Sequence, residues 1–157
     1  MAKAPQPRVD DAESEVRGLL TSFHDAWNRR DANGIADLFA DDGHVVGFDG
    51  SVLDSSAAIR AEMTRIFADH KPASFVGKVR EVAFPAPNVA MLRAIVGMVP
   101  PDKSALNPAV NAIQTLWAVK RSGEWRVLML QSTPAAFHGR PELVEAMTAE
   151  LTELIRS

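Results

Sequence analysis

The stretch from Phe23 to Gly50 (FHDAWNRRDANGIADLFADDGHVVGFDG) constrains the fold more than any other part of the chain. It reads as the end of a long helix near Asn28–Arg30, a short helix from Asp31 to Ala40, an acidic turn at Asp41–Asp42, and a strand over His44–Phe48. The preceding helix, from about Asp11, places Val16, Leu19, Leu20, Phe23 and Trp27 at spacings of three and four, which buries one face. Asp10 and Asp11 are available to cap it. A chain that begins this way commits its first helices to covering whatever sheet follows.

The sheet is legible further on. Ser55 and Ser56 are N-cap candidates for a helix bearing Ile59, Met63, Ile66 and Phe67, which Lys71–Pro72 ends. Four β-like runs then follow directly: Ala73–Phe84, Asn88–Met98, Ala109–Lys120 and Glu124–Thr133. Strands this long and consecutive make an antiparallel meander the economical topology. A last helix begins at Pro141, a residue suited to a first helical turn, and carries Leu143, Met147, Leu151 and Leu154. The expected architecture is α+β. Three helices from the N-terminal half lie on the concave face of a curved antiparallel sheet of four to six strands, with a C-terminal helix added. Residues 1–10 read as a disordered leader and residues 11–157 as a single domain.

Composition removes several function classes. A chain of 157 residues with 46% hydrophobic content supports one core. A formal net charge of −3 offers no basic stripe for nucleic acid. Cysteine is absent, which rules out disulfides, thiol catalysis and Cys-ligated zinc, and tyrosine is absent too. No apolar run reaches the roughly 20 residues of a membrane helix, and the N-terminus has no signal-peptide core, so a cytoplasmic protein is expected. No His pair has ligand spacing, and no GxGxxG, Walker or GxSxG motif occurs. Neither a metal nor another cofactor is indicated.

Both alternating sets of the strands contain apolar residues. The concave set is expected to enclose a pocket, and the convex set to be covered by a second copy of the chain. Placing Arg126 outward turns Trp125, Val127, Met129 and Gln131 inward. Pairing Val119 with Trp125, and Arg93 with Thr115, brings Asn111, Ile113, Thr115, Trp117, Met91, Arg93 and Ile95 to the same face. A one-residue slip inverts each set. The resulting pocket has walls of Trp27, Phe48, Met91, Trp117 and Met129, with Arg93, Thr115 and Gln131 as polar points. Arg93 has a second reading, outside the sheet and paired with a carboxylate; Thr115 suits any strand, and Gln131 could satisfy a loop backbone. His44, beside Asp41 and Asp42, is either a general base or a polar residue at a strand start. His24 is placed at the edge or exposed, and His70 at a helix end.

Three segments carry a resemblance to a known family: AWNRRDANGIADLFADDGHVVGFDG, SSAAIRAEMTRIF and SGEWRVLMLQSTPAAFHGRPEL. Together they resemble the SnoaL-like branch of the nuclear transport factor 2-like superfamily, nearest the SgcJ/EcaC-type proteins. The resemblance implies a cone-shaped α+β roll, a homodimer, and a pocket inside the cone. It also implies a range of functions: isomerases, dehydratases, polyketide cyclases and non-catalytic assembly domains. Where ketosteroid isomerases carry their base, oxyanion tyrosine and second acid, this chain has Gly47, Phe23 and the region of Thr115, so that enolisation chemistry is not supported. Three readings follow. The first is a dimeric protein binding a small organic, polyketide-like or aromatic metabolite. The second is a cofactor-free cyclase, isomerase or dehydratase with His44 as base and Arg93 or Gln131 stabilising negative charge. The third is a non-catalytic assembly or accessory domain.

Overall fold

The computed structural model describes residues 9–156, with side chains from residue 11 onward. Of the expected leader, residues 1–8 lie outside the described residues; Val9 and Asp10 already belong to the first helix. That helix, α1 (Val9–Asn28), buries Val16, Leu19, Leu20, Phe23 and Ala26 along one stripe. Arg30 takes a left-handed φ of 57°, and Asp31 caps the next helix by accepting from Gly34 N at 2.9 Å. This helix, α2 (Ala32–Ala36), stops earlier than the expected Ala40.

The chain then enters strand β1 (Phe39–Val46), so Asp41 and Asp42 sit in a strand and not in the expected turn. They occupy an irregular stretch between Phe39 and His44, where both are exposed and Asp42 pairs with Arg121 at 2.6 Å. A tight turn leads into β2 (Val52–Leu53): Gly47 N donates to Ser51 O at 2.8 Å, Ser51 N donates to the Asp49 carboxylate at 2.9 Å, and Gly50 has φ 90°. Helix α3 (Ser56–Asp69) is capped by Ser55, which accepts from Ala58 N at 3.0 Å.

Four long strands complete the sheet: β3 (Ser74–Ala86), β4 (Val89–Val99), β5 (Ala112–Arg121) and β6 (Glu124–Pro134). A short 3-10 turn, Pro108–Val110, occupies what was expected to be the start of the third run. The order is β2-β1-β6-β5-β4-β3, antiparallel throughout except that β1 runs parallel to β6. This is the expected α+β roll with six strands.

The inner face carries Leu92, Ala94, Val96, Leu116, Val127 and Leu130, all buried under α1 and its neighbours in one core. Helix α4 (Pro141–Arg156) packs on the outer face at one end, seating Met147 and Leu151 against Ile95, Val76 and Ile113. Gly97 permits that approach, since a Cβ there would stand 2.8 Å from Leu106 Cδ2 and 3.0 Å from Leu151 Cδ1. Arg80 and Lys78 reach across to Glu150 at 2.5 and 3.0 Å and hold its carboxyl down to about 2.

The end of α1 is fixed to the start of β3 by a side chain that imitates a strand. Asn28 Nδ2 donates to Phe75 O at 3.1 Å, and Phe75 N donates back to Asn28 Oδ1 at 2.8 Å. Removing the amide leaves a half-buried backbone pair unmet. Asn28→Ala is expected to lower stability by about 1–3 kcal/mol, measured by urea unfolding; an unchanged midpoint would show that the pair contributes nothing.

Candidate functional site: a cavity between α1, α3 and the sheet

A cavity of about 850 Å³ opens between the helical layer and the inner face of the sheet. Phe23 and Trp27 of α1 form one wall, Met63 and Ile66 of α3 a second, and Val45 and Leu53 a third. Phe75, Ala112, Gln114, Leu130 and Ser132 line the sheet side. Trp27 is held by a 2.8 Å bond from Nε1 to Ala73 O, an edge contact with Phe67 at 5.4 Å and a tilted one with Phe75 at 5.3 Å. The lining also includes the exposed ring of Phe48 and the polar side chains Asp49, Glu62, Arg65, His70 and Lys71. Arg65 is already engaged by Glu62 and, at 3.1 Å, by Asp69. Among the described residues no group of three or more His, Asp or Glu could hold a metal ion.

Two polar side chains stand on the apolar sheet side, and they are joined to a third behind them. Gln114 is 1% exposed and pairs directly with Ser132 across β5 and β6. Its Nε2 donates to Ser132 Oγ at 3.3 Å, and its Oε1 lies 2.8 Å from His24 Nε2. His24 is buried, contrary to its expected place at an edge: it stacks on Phe75 at 4.9 Å and sits in a space that only a glycine at 77 leaves free. A Cβ at Gly77 would be 2.7 Å from His24 Cε1. Burial pushes the His24 imidazole below its ordinary value, against smaller opposing effects from the Gln114 bond and the Asp25 charge.

The residues expected in the pocket divide sharply. Trp27 and Phe48 line the cavity. Met91, Arg93, Thr115, Trp117, Met129 and Gln131 do come together, as the cross-strand pairs Met91–Trp117, Arg93–Thr115, Trp117–Met129 and Thr115–Gln131, but on the outer face. Two one-residue effects cause the inversion. The β5–β6 turn has only Ser122 and Gly123 between paired ends, both with positive φ, so Trp125 meets Lys120 and not Val119. Beyond Val127 a bulge absorbs Leu128, so Leu130 and Ser132 turn inward and Met129 and Gln131 outward. Arg93 pairs with Glu81, its second reading. Asn111 is buried but donates to Thr148 of α4 at 2.9 Å. His44 also faces outward, opposite Met129, and meets the exposed Asp54 at 3.0 Å. It is not among the residues lining the cavity.

Sequence reasoning missed His24, Gln114 and Ser132. His24 lies four residues beyond Leu20 and three before Trp27, which is the spacing of the buried stripe. Gln114 is a lone amide in an apolar strand, the same signal that drew attention to Gln131.

An open cavity inside a curved sheet, roofed by an N-terminal helix, defines a pocket-bearing α+β roll of the nuclear transport factor 2-like type. A family model of the SnoaL-like domain matches residues 16–136, and the chain belongs to that family. Among solved structures, it resembles a cystatin-like protein of unknown function from Nostoc punctiforme PCC 73102 (20% identity, TM-score 0.78, covering 96% of this chain and 97% of that one). It also resembles a candidate dehydratase of the same superfamily from Streptomyces avermitilis (16%, TM-score 0.63, 82% and 99%). A third similar structure is a candidate aromatic ring hydroxylase from Novosphingobium aromaticivorans (18%, TM-score 0.64, 83% and 92%). At these identities the likeness is one of fold. A search of curated protein sequences found no match.

The depressed His24 pKa makes a pH prediction. The unfolded chain takes a proton on His24 near pH 6.5 while the native state still resists it, so the unfolded form binds more protons and stability falls as pH drops below about 6.5. The loss has a limiting slope of about 1.4 kcal/mol per pH unit. Glu150 titrates far lower, near 2. Denaturant unfolding between pH 7.5 and 5 should show the decline in the parent and a flatter profile in His24→Leu. Parallel profiles would contradict the buried neutral imidazole.

Proposed function

We propose that this protein binds a small, mostly apolar organic molecule, aromatic or polyketide-like, in the cavity between α1, α3 and the sheet. The observation that carries the reading is the cavity itself: about 850 Å³, walled by Phe23, Trp27, Met63, Ile66 and Phe75, with Gln114 and Ser132 as polar groups on its sheet side. Space of this size, largely apolar with few polar points, suits a ligand of one to three fused rings. Close-packed interiors leave few voids larger than a water molecule, so open space of this size lined by apolar groups is the default place for a ligand. The enzyme reading that relied on His44 loses its support, because His44 lies across the sheet from the cavity.

A neutral fluorescent aromatic amine, N-phenyl-1-naphthylamine, provides the test. It should bind at about one molecule per chain, and Ala73→Trp, which narrows the mouth beside Trp27, should weaken it about tenfold or more. Met91→Ser on the outer face should leave binding unchanged. Equal loss in both variants, or no binding to the parent, would remove the reading.

We also propose a homodimer through the outer sheet face. Helix α4 covers only one end of that face. The remainder presents Trp117, 36% exposed, with Met91 and Met129 half-buried around it, bordered by the Arg93–Glu81 and His44–Asp54 pairs. A second copy would bury this patch by the same surface on both sides. Light scattering should give a dimer mass for the parent and a monomer mass for Trp117→Glu; a monomeric parent would overturn the proposal.

A further inference from the structure

The polar end of the cavity has a direction. Gln114 and Ser132 are register partners on β5 and β6, and both line the cavity. The Gln114 carbonyl oxygen can only accept, so the His24 Nε2 that it meets at 2.8 Å carries the hydrogen. The amide nitrogen of Gln114 is thereby turned toward Ser132, which also lines the cavity. One of its two N–H groups donates to Ser132 Oγ at 3.3 Å. The second belongs to a side chain that is 1% exposed, in a setting where an unmet donor is costly. Ser132, accepting from Gln114, has its own hydroxyl hydrogen to give.

We infer that Gln114 and Ser132 together form a two-donor clamp that selects a ligand by a neutral oxygen acceptor, such as a ketone, aldehyde or quinone carbonyl, with His24 as the positioning residue that fixes the amide. A carbonyl oxygen has two lone pairs and accepts from both donors at once. A carboxylate fits worse. Of the cations lining the cavity, Arg65 is already engaged by Glu62 and Asp69 and Lys71 belongs to the segment after α3, while His24 is held neutral by burial, so a carboxylate beside the buried Gln114 would be desolvated without a counter-charge on the sheet side. A hydrocarbon of the same shape leaves both donors unmet. The packing around His24 protects the arrangement: the imidazole is stacked on Phe75 and confined by Gly77, so it cannot turn away from Gln114 without displacing β3.

This inference rests on the binding reading above and names the ligand chemistry of the same cavity. Two near-isosteric probes separate the two claims: 2-acetylnaphthalene, with a carbonyl oxygen, and 2-isopropylnaphthalene, with a methyl group in its place. Titration calorimetry or ligand-observed NMR gives the ratio of their dissociation constants. Two hydrogen bonds of ordinary net strength favour the ketone by about thirtyfold. In Ser132→Ala and in His24→Leu the ratio should fall toward one, with the hydrocarbon's affinity held within about twofold. A purely structural role for His24 would weaken both probes alike and leave the ratio standing, which would overturn the positioning claim. Equal binding of both probes by the parent would overturn the clamp and leave cavity binding intact. No binding of either would overturn both.

Discussion

The seam between the end of α1 and the start of β3 decides whether this chain has a cavity. Asn28 pairs with the Phe75 backbone, Trp27 bonds to Ala73 O, and His24 stacks on Phe75. These contacts fix one edge of the helix to one edge of the sheet. The cavity opens between the helical layer and the sheet beside this seam, with Phe23, Trp27 and Phe75 in its lining. Hydrogen bonds suit this task because they set distance and angle, whereas apolar contacts alone would let the layers close on each other. Phe75 serves both purposes, with its backbone in the seam and its ring in the cavity wall.

The sheet spends its two apolar faces differently. The inner face supplies the core and the cavity lining, and the outer face supplies the seat for α4 and a patch around Trp117. Glycine sets the spacing on both sides. Gly77 makes room for His24 beneath α1, and Gly97 makes room for Leu106 and Leu151 beneath α4. The two residues belong to neighbouring strands and face opposite ways, Gly77 paired with Val96 and Gly97 with Val76. One stretch of the β3–β4 ladder is thus thinned on each face to admit a helix-borne side chain.

Much of the architecture was legible. The buried stripe of α1, the Ser55 cap, the start of α4 at Pro141 and the four long strands all follow from periodicity and end signals that act over a few residues. The parallel pairing of β1 with β6 was not, since it joins segments far apart in sequence. The Asp41–Asp42 pair misled because acidic doublets favour turns locally, while here an irregular stretch inside β1 carries them, with Arg121 as partner of Asp42. Of the residues expected to line the pocket, Trp27 and Phe48 line the cavity, while six strand residues fall on the far side of the sheet. Their mutual pairing was nonetheless read correctly in the case of Arg93 and Thr115.

Sequence by itself determined the order of the main elements, though not the two-residue strand β2, and which segments have two apolar faces, because these depend on composition and spacing along the chain. Tertiary structure alone decided which face looks into the cavity. Side chains alternate with a period of two, so the two-residue turn at Ser122–Gly123 and the extra residue at Leu128 each reverse the assignment. Neither leaves a mark in hydrophobic pattern when both faces are apolar, and so His24, Gln114 and Ser132 meet only in the folded chain.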